Sequence, residues 1–214
     1  MKTKNVMIDG VNLGIYEPCF QMDGHIYHCP AGIPLDSVTT ILKYELGLYQ
    51  WGTTLPAEKG HDIHKAIQYH TQGILDEKNL APEYKARLDT FKLAVESERI
   101  VVLASEVMRY HPTFLFAGTI DIVGTVDDVP SVIDIKTGAP CVWHRWQVAT
   151  YERLLRLQDG IERQRYDLYL KDGSYKFTKH EGKSDWSEFL TMCMAHKIKV
   201  ANGYREITAN GGIK

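Results

Sequence analysis

Three consecutive β-branched, apolar segments in the middle of the chain constrain its fold more than any other feature. They run over residues 100–107, 116–123 and 129–135. Such segments favour strands, and Asp127-Asp128 with Pro130 marks a tight connection between the last two. We therefore expect three strands in succession.

Helical segments lie on both sides of these strands and are identified by the spacing of apolar residues and by terminal signals. They are predicted over residues 38–46, 60–72, 82–98, 143–157 and 185–200. Turn dipeptides predict hairpins around Asp23-Gly24, within residues 16–28, and around Asp172-Gly173, between strands 165–170 and 175–179. The order indicates an α/β or α+β single domain over residues 1–214. Its parts are an N-terminal hairpin and helices to about residue 99, a core over about 100–180, and a C-terminal helix over about 184–200.

Charged side chains interrupt two of the predicted strands. Asp134 and Lys136 are two residues apart, so they project from the same face of their strand, and a hairpin can bring Asp121 to Asp134. Two close carboxylates repel each other unless a cation lies between them, and oxygen ligands suit Mg²⁺ or Mn²⁺. A neighbouring lysine could orient a water or stabilise charge on a phosphate. The alternative is an exposed Asp134–Lys136 pair and an edge-strand acid at Asp121.

The same residues form a known pattern. Asp121 followed by Asp134-Ile135-Lys136 resembles the PD-(D/E)XK nuclease signature, with Ile120 where the proline of the signature would stand. Three further segments are similar to motifs of the RecB-like and phage exonuclease branch, which includes the mitochondrial genome maintenance exonuclease. They are Gln147 to Tyr151 (Q-x-x-x-Y), Gly60 to His64 (G-x-x-x-H) and Ser37 to Leu42 followed by Trp51. The resemblance covers about residues 34–158.

The resemblance implies a restriction-endonuclease-like core, a mixed central sheet flanked by helices in αβββαβ order, and metal-dependent hydrolysis of DNA. It implies that Asp121, Asp134 and the main-chain carbonyl of Ile135 hold one Mg²⁺ or Mn²⁺, and that His64 helps to hold a second. Lys136 would position the attacking water. Gln147 and Tyr151, four residues apart on one helix face, would orient Lys136 or hold the DNA backbone. A core aromatic remains the alternative for Tyr151.

Four other residues are weaker candidates. Glu106 is a possible additional acid of the site, or an exposed glutamate on a strand. His61 could be a surface histidine or a DNA contact. Arg145 could bind phosphate, and Trp143 could stack on a base.

Charge and cysteine usage restrict the partners. The chain has 25 Lys+Arg and 27 Asp+Glu, for a net charge of −2, which argues against a polyanionic partner unless the cations are gathered locally. Residues 136–183 contain ten Lys/Arg and six acids, a formal +4.

Of the four cysteines only Cys193 lies in the last seventy residues, so the arrangement of the iron–sulfur relatives is missing and no iron–sulfur cluster is expected. No apolar run is long enough for a transmembrane helix, so we expect no membrane association and an intracellular, cytoplasmic protein, in the host cytoplasm if phage-encoded.

Together these features predict a metal-dependent DNA exonuclease that acts from single-stranded ends in replication, recombination or repair, with possible protein partners in those processes. A structure-selective endonuclease and a catalytically silent DNA-binding module on the same fold remain alternatives. A small-molecule phosphoesterase has no support beyond the acids.

Overall fold

The protein is described here by a computed structural model. It describes residues 26–48 and 60–203 in full, together with the backbone of residues 7–8, 11–12 and 56–59. The strands are β1 (Met7–Ile8), β2 (Val11–Asn12), β3 (Tyr27–His28), β4 (Pro34–Ser37), β5 (Ile100–His111), β6 (Phe116–Val126), β7 (Val129–Lys136), β8 (Gln164–Lys171) and β9 (Ser174–His180). The helices are α1 (Val38–Glu45), α2 (Pro56–Thr71), α3 (Pro82–Ser97), α4 (His144–Asp159) and α5 (Asp185–Ala201), with a short 3₁₀ turn over Glu77–Asn79.

Strand β6 is the centre of a mixed sheet. One edge of β6 pairs antiparallel with β5 along nearly its whole length. Its other edge is divided between two partners, because β4 pairs in parallel with Phe116 and Ala117 while β7 pairs antiparallel with residues 122–126. The sheet continues through β8, which is parallel to β7, and ends at β9. Residues 118–121 therefore face a gap between β4 and β7.

Helices cover both faces of the sheet and form two apolar layers. On one face α1, α4 and α5 pack on β6 and β7 through a cluster that includes Ile41, Leu155 and Phe189. On the other face α2 and α3 pack through Ile67, Phe91 and their neighbours. Because successive strand residues alternate between faces, Val132 enters the first layer while Ile133 and Ile135 enter the second.

The local signals in the sequence explain most element ends. The Ser37 side chain accepts a hydrogen bond from the Thr40 amide at the start of α1, and Gly160 ends α4 with a φ of 73°. Asp127 and Asp128 both have positive φ, as a tight turn between twisted strands requires. Ser184 precedes α5, but its side chain makes no capping hydrogen bond.

The predicted elements from residue 38 to residue 200 are all present. The expected turn at Asp23-Gly24 lies outside the described residues, and Tyr27–His28 pairs with Pro34 and Leu35. The architecture is an α+β fold of the restriction-endonuclease-like type, a curled mixed sheet with helices on both faces. Across the described ranges, no helix has the length and apolar character needed to cross a membrane.

Candidate active site

The site begins where β6 and β7 separate. Their backbone pairing ends at Ile122 and Ile133. Beyond this point the Asp121 carboxylate takes the place of a main-chain acceptor, because its Oδ2 accepts a hydrogen bond of 2.6 Å from the Ile135 amide. Groups from helices on opposite faces of the sheet can therefore meet in the opening between the two strands.

Helix α2 brings His64 to this opening. Gly60 lies one turn earlier, where a Cβ would come within 3.1 Å of the Thr137 hydroxyl, so the helix approaches the end of β7 closely. His64 Nδ1 lies 3.3 Å from Asp121 Oδ1 and 3.9 Å from Glu106 Oε1. One ligand atom from each of these three side chains lies within 4.8 Å of the others, so together they could hold one metal ion.

Glu106 reaches this cluster from an unusual backbone conformation. It lies on β5 opposite Asp121, between the pairs Ser105–Ile122 and Val107–Ile120, and its φ is 54°. A glutamate in the left-handed region is uncommon and is held there by the surrounding structure.

The charges in the cluster alter one another. Burial alone lowers the pKa of His64, but the Asp121 carboxylate, followed by Glu106 and Asp134, raises it to about 9. Burial raises the pKa of Glu106 to about 7, with a further contribution from Asp121. Burial also opposes ionisation of Asp121, yet His64 and the Ile135 amide hold its pKa below the usual range.

The second half of the site is a hydrogen-bonded chain that starts at Asp134. This residue is 2% exposed, and burial together with the charges of Asp121 and Asp167 raises its pKa to about 7, although Lys136 opposes the shift. Lys136 forms an ion pair with Asp134 on the same strand face. Its Nζ also donates to Gln147 Oε1 at 2.7 Å, and Gln147 Nε2 donates to the Tyr151 hydroxyl at 2.9 Å.

Tyr151 is both a core residue and a member of this chain. Its side chain is almost fully buried in the layer between α4 and the sheet. The ring packs over Gly118, where an added Cβ would lie 2.5 Å from a ring carbon, so β6 admits the ring only because residue 118 is glycine. Tyr151 is thus a core aromatic, and its functional role remains a prediction.

These residues line one cavity of about 390 Å³. The sequence candidates on its wall are His64, Asp121, Asp134, Ile135, Lys136, Trp143, Gln147 and Tyr151. Glu106 and His61 line a smaller cavity of about 180 Å³ that shares His64 with it.

Thr39 and Lys43 are two of the lining residues that the sequence analysis did not single out. Thr39 and Lys43 are one helical turn apart on α1, and both line the larger cavity. Thr39 Oγ1 lies 3.5 Å from Gln147 Nε2, while burial and the charge of Lys136 lower the pKa of Lys43. A usable signal existed, because Val38, Ile41 and Leu42 form the buried face of α1 and leave these two polar residues on another face.

The remaining candidates differ in position. The Trp143 ring lies at the cavity wall with Lys136 Nζ 5.2 Å from its centroid. Arg145 is not among the lining residues. Its guanidinium pairs with Glu188 at 2.9 Å and with Asp185 at 3.5 Å, and so it links α4 to α5.

A second buried polar chain supports the floor of the site. Asp167 is fully buried beside Asp134 in the parallel β7–β8 pair. Its Oδ2 accepts from the Tyr169 hydroxyl at 2.9 Å and lies 2.6 Å from His180 Nε2. The Tyr169 hydroxyl lies 3.0 Å from His144 Nδ1, and burial, then the charge of Lys136, lowers the pKa of His144 to about 4.

Comparisons with known proteins give a fold relationship. A scan against protein-family models finds no match, and a search of curated proteins finds none either. Among solved structures, the chain is similar to a candidate exonuclease from Eubacterium rectale, with 13% identity, a TM-score of 0.53, and coverage of 80% of this chain and 83% of that chain. LHK-Exo in complex with dAMP (12% identity, TM-score 0.37, coverage 79% and 89%) and SSO0001 (13%, 0.35, 75% and 85%) also match. At these identities the first of the three supports the fold.

Proposed function

We propose that the protein is a Mg²⁺- or Mn²⁺-dependent deoxyribonuclease that hydrolyses phosphodiester bonds from single-stranded DNA ends. One observation carries the proposal. Acids from β6 and β7, a histidine from α2 and a lysine held by Gln147 surround a single cavity between the separated strands. The description of the Eubacterium rectale protein as a candidate exonuclease agrees with this reaction class.

The donor set fits a divalent cation. Oxygen and imidazole atoms of His64, Glu106 and Asp121 lie within 4.8 Å of one another, and Asp134 lines the same cavity as two of them. The raised pKa values of Glu106 and Asp134 indicate more negative charge than the buried site accommodates alone. We assign His64, Asp121, Asp134 and the Ile135 carbonyl to metal binding, with Glu106 as an additional acid. When bound, Mg²⁺ or Mn²⁺ supplies Lewis-acid stabilisation of charge on the phosphate.

The other residues would act on the water and the DNA. Lys136 Nζ has Asp134 and Gln147 as acceptors, which fixes its direction at the cavity wall, where it can hold a water or stabilise negative charge on phosphate. Gln147 and Tyr151 position this ammonium group. Lys43 has no ion-pair partner among the described residues and lies at the same cavity, so it is suited to contact a phosphate oxygen. Trp143 offers an aromatic ring at the wall on which a base could stack.

The proposal is tested with end-labelled single- and double-stranded DNA incubated with each metal. We expect metal-dependent release of short products, faster from single strands, and loss of that activity in Asp134→Ala. Degradation that persists in Asp134→Ala would contradict the assignment of the site. The product ladder from a substrate labelled at one end also reports the polarity.

Two further experiments distinguish the exonuclease from a structure-selective endonuclease and from a catalytically silent DNA-binding module. Covalently closed single-stranded circles remain intact with an exonuclease and are cut by a structure-selective endonuclease. A silent DNA-binding module would bind DNA without binding Mn²⁺, which isothermal titration of the wild type with Mn²⁺ measures directly.

A further inference from the structure

A third cavity, separate from the two that His64 lines, lies on the opposite flank of α4 from the candidate active site. Its volume is about 580 Å³, and it is enclosed by α4, the start of β8, the end of β9 and the segment that leads into α5. This size falls within the range of about 300–1,000 Å³ that is typical of small-ligand pockets. On α4, Gln147 and Tyr151 face the candidate active site, whereas Arg153 and Arg156 face this third cavity.

The wall of this cavity is strongly basic in a chain whose net charge is −2. It contains six basic and three acidic side chains, an excess of three positive charges with histidine neutral. The basic ones are Arg153, Arg156, Arg163, Arg165, Lys179 and Lys183. One of the three acids, Glu152, is buried, and burial raises its pKa.

Two of these cations are committed to the fold. Arg163 pairs with Asp159, and Arg165 donates to Asp185 at 3.0 Å and to the Gly182 carbonyl at 2.9 Å. They fix the shape of the wall and leave less charge for a ligand.

The other four basic side chains of the wall are available to bind a ligand. Within residues 26–48 and 60–203, neither Arg153 nor Lys183 forms an ion pair. Arg156 pairs at 3.3 Å with Glu162, whose side chain is 77% exposed, and Lys179 pairs at 3.2 Å with an acid that is 75% exposed. Exposed pairs of this kind contribute little and are easily exchanged for a ligand.

Arg153 is also held in place without being neutralised. Its guanidinium lies 5.6 Å from the centroid of the Trp186 ring, and that ring also stacks on His111 and on Phe189. Trp186 belongs to the first turn of α5, so the segment that leads into this helix and the ring itself form part of the cavity wall. A pre-positioned guanidinium and an unpaired ammonium group, here those of Arg153 and Lys183, are groups that recognise phosphate.

We infer that this cavity, which we call the α4–α5 pocket, is a binding site for phosphate groups, supplied by the DNA backbone or by a free nucleotide. The inference is independent of catalysis. Arg153 and Lys183 are the principal ligands, and Arg156 and Lys179 exchange their exposed partners for the anion.

The test uses the full-length protein in EDTA, so that no DNA is cleaved. Pyrophosphate and dAMP are titrated calorimetrically, and a fluorescein-labelled single-stranded thymidine oligonucleotide is titrated by anisotropy at several salt concentrations. The double variant Arg153→Gln/Lys183→Gln is compared with Lys85→Gln/Lys171→Gln, which removes the same charge from exposed positions outside the pocket. Circular dichroism melting confirms that both variants are folded.

We expect the pocket variant to weaken binding of pyrophosphate and dAMP at least about tenfold, with the control variant unchanged. If the DNA backbone is the source, the pocket variant also weakens oligonucleotide binding and makes its salt dependence shallower by about one to two phosphate contacts. If only the small anions are affected, the ligand is a free nucleotide. Equal binding by both double variants, or no binding of any probe by the wild type, overturns the inference. Lys136→Ala separates the two proposals, because it disables the proposed cleavage site and leaves anion binding in the α4–α5 pocket intact.

Discussion

Gln147 is the residue on which the proposed role of Lys136 can be tested most directly. Its carboxamide accepts from Lys136 at 2.7 Å and donates to the Tyr151 hydroxyl at 2.9 Å, in a setting where it is itself 6% exposed. In Gln147→Met the side-chain volume is similar and both hydrogen bonds are lost. A hydrogen bond to a charged group contributes about 1.5–3 kcal/mol, and a neutral one about 0.5–1.5 kcal/mol.

Two consequences follow for measurement. If the hydrogen bond to Lys136 acts in the transition state, the single-turnover cleavage rate on labelled single-stranded DNA falls about 10- to 150-fold. Loss of both bonds also lowers the free energy of unfolding by about 2–4 kcal/mol, which shifts Tm downward by roughly 4–16 °C in a chain of this size. Mn²⁺ affinity measured by calorimetry at 20 °C stays within about threefold, because Gln147 is not among the proposed metal ligands.

Gln72→Met is the matched control, since it makes the same chemical change at an exposed position at the end of α2. A cleavage rate for Gln147→Met equal to that of this control would refute the positioning role. A proportionate loss of Mn²⁺ binding would instead assign Gln147 to the metal site.

Three other properties can be predicted from the geometry. A metal must displace the protons of His64, whose pKa is about 9, and of Glu106 and Asp134, whose pKa values are about 7. Mn²⁺ affinity measured by calorimetry therefore falls between pH 8 and pH 6, by up to about tenfold per pH unit for each proton, and more steeply below pH 7 than above it. A flat profile from pH 8 to 6 would count against all three ligands. Gly118→Ala places a Cβ 2.5 Å from an aromatic ring carbon and lowers the calorimetric stability by about 1–3 kcal/mol, whereas Gly138→Ala, with open space around it, has no such effect. Burial, with a contribution from a nearby arginine, lowers the pKa of His111 to about 4, so the unfolded chain binds a proton there that the folded chain does not. The contribution of His111 to stability is constant above pH 6.5 and falls by up to about 3 kcal/mol towards pH 4. We therefore expect the difference in urea stability between the wild type and His111→Asn to change over that range and to be constant above it.

The sequence predicted most of the fold because each element carried its own period and its own end signals. The i, i+2 spacing placed Asp134 and Lys136 on one strand face, and the structure places them in an ion pair. The i, i+4 spacing placed Gln147 and Tyr151 together on α4, and they are hydrogen-bonded. These relations depend only on local geometry, which sequence spacing encodes.

Non-local relations were beyond such reasoning. The β4–β6 pairing involves two residues of each strand, and no periodic pattern marks so short a contact. The positive φ of Glu106 could not be deduced from its residue type, because glutamate rarely adopts the left-handed region. Arg145 was a weaker candidate for a phosphate contact, and its ion-pair partners Asp185 and Glu188, which lie on a helix about forty residues later in the chain, could not be read from local spacing.

The parallel contact of β4 with β6 also decides when the site can come into existence during folding. It joins Asp36 to Phe116 across about eighty residues, and through it α1 is brought against α4. Closing a loop of that length costs entropy before any contact compensates it, so contacts of this kind form late. The strand triplet β5–β6–β7 can form from local hairpins while Lys43, Thr39 and His64 are still absent from it. A chain caught halfway through folding, or still emerging from the ribosome, therefore holds its acidic strands without the groups that complete the cavity around them.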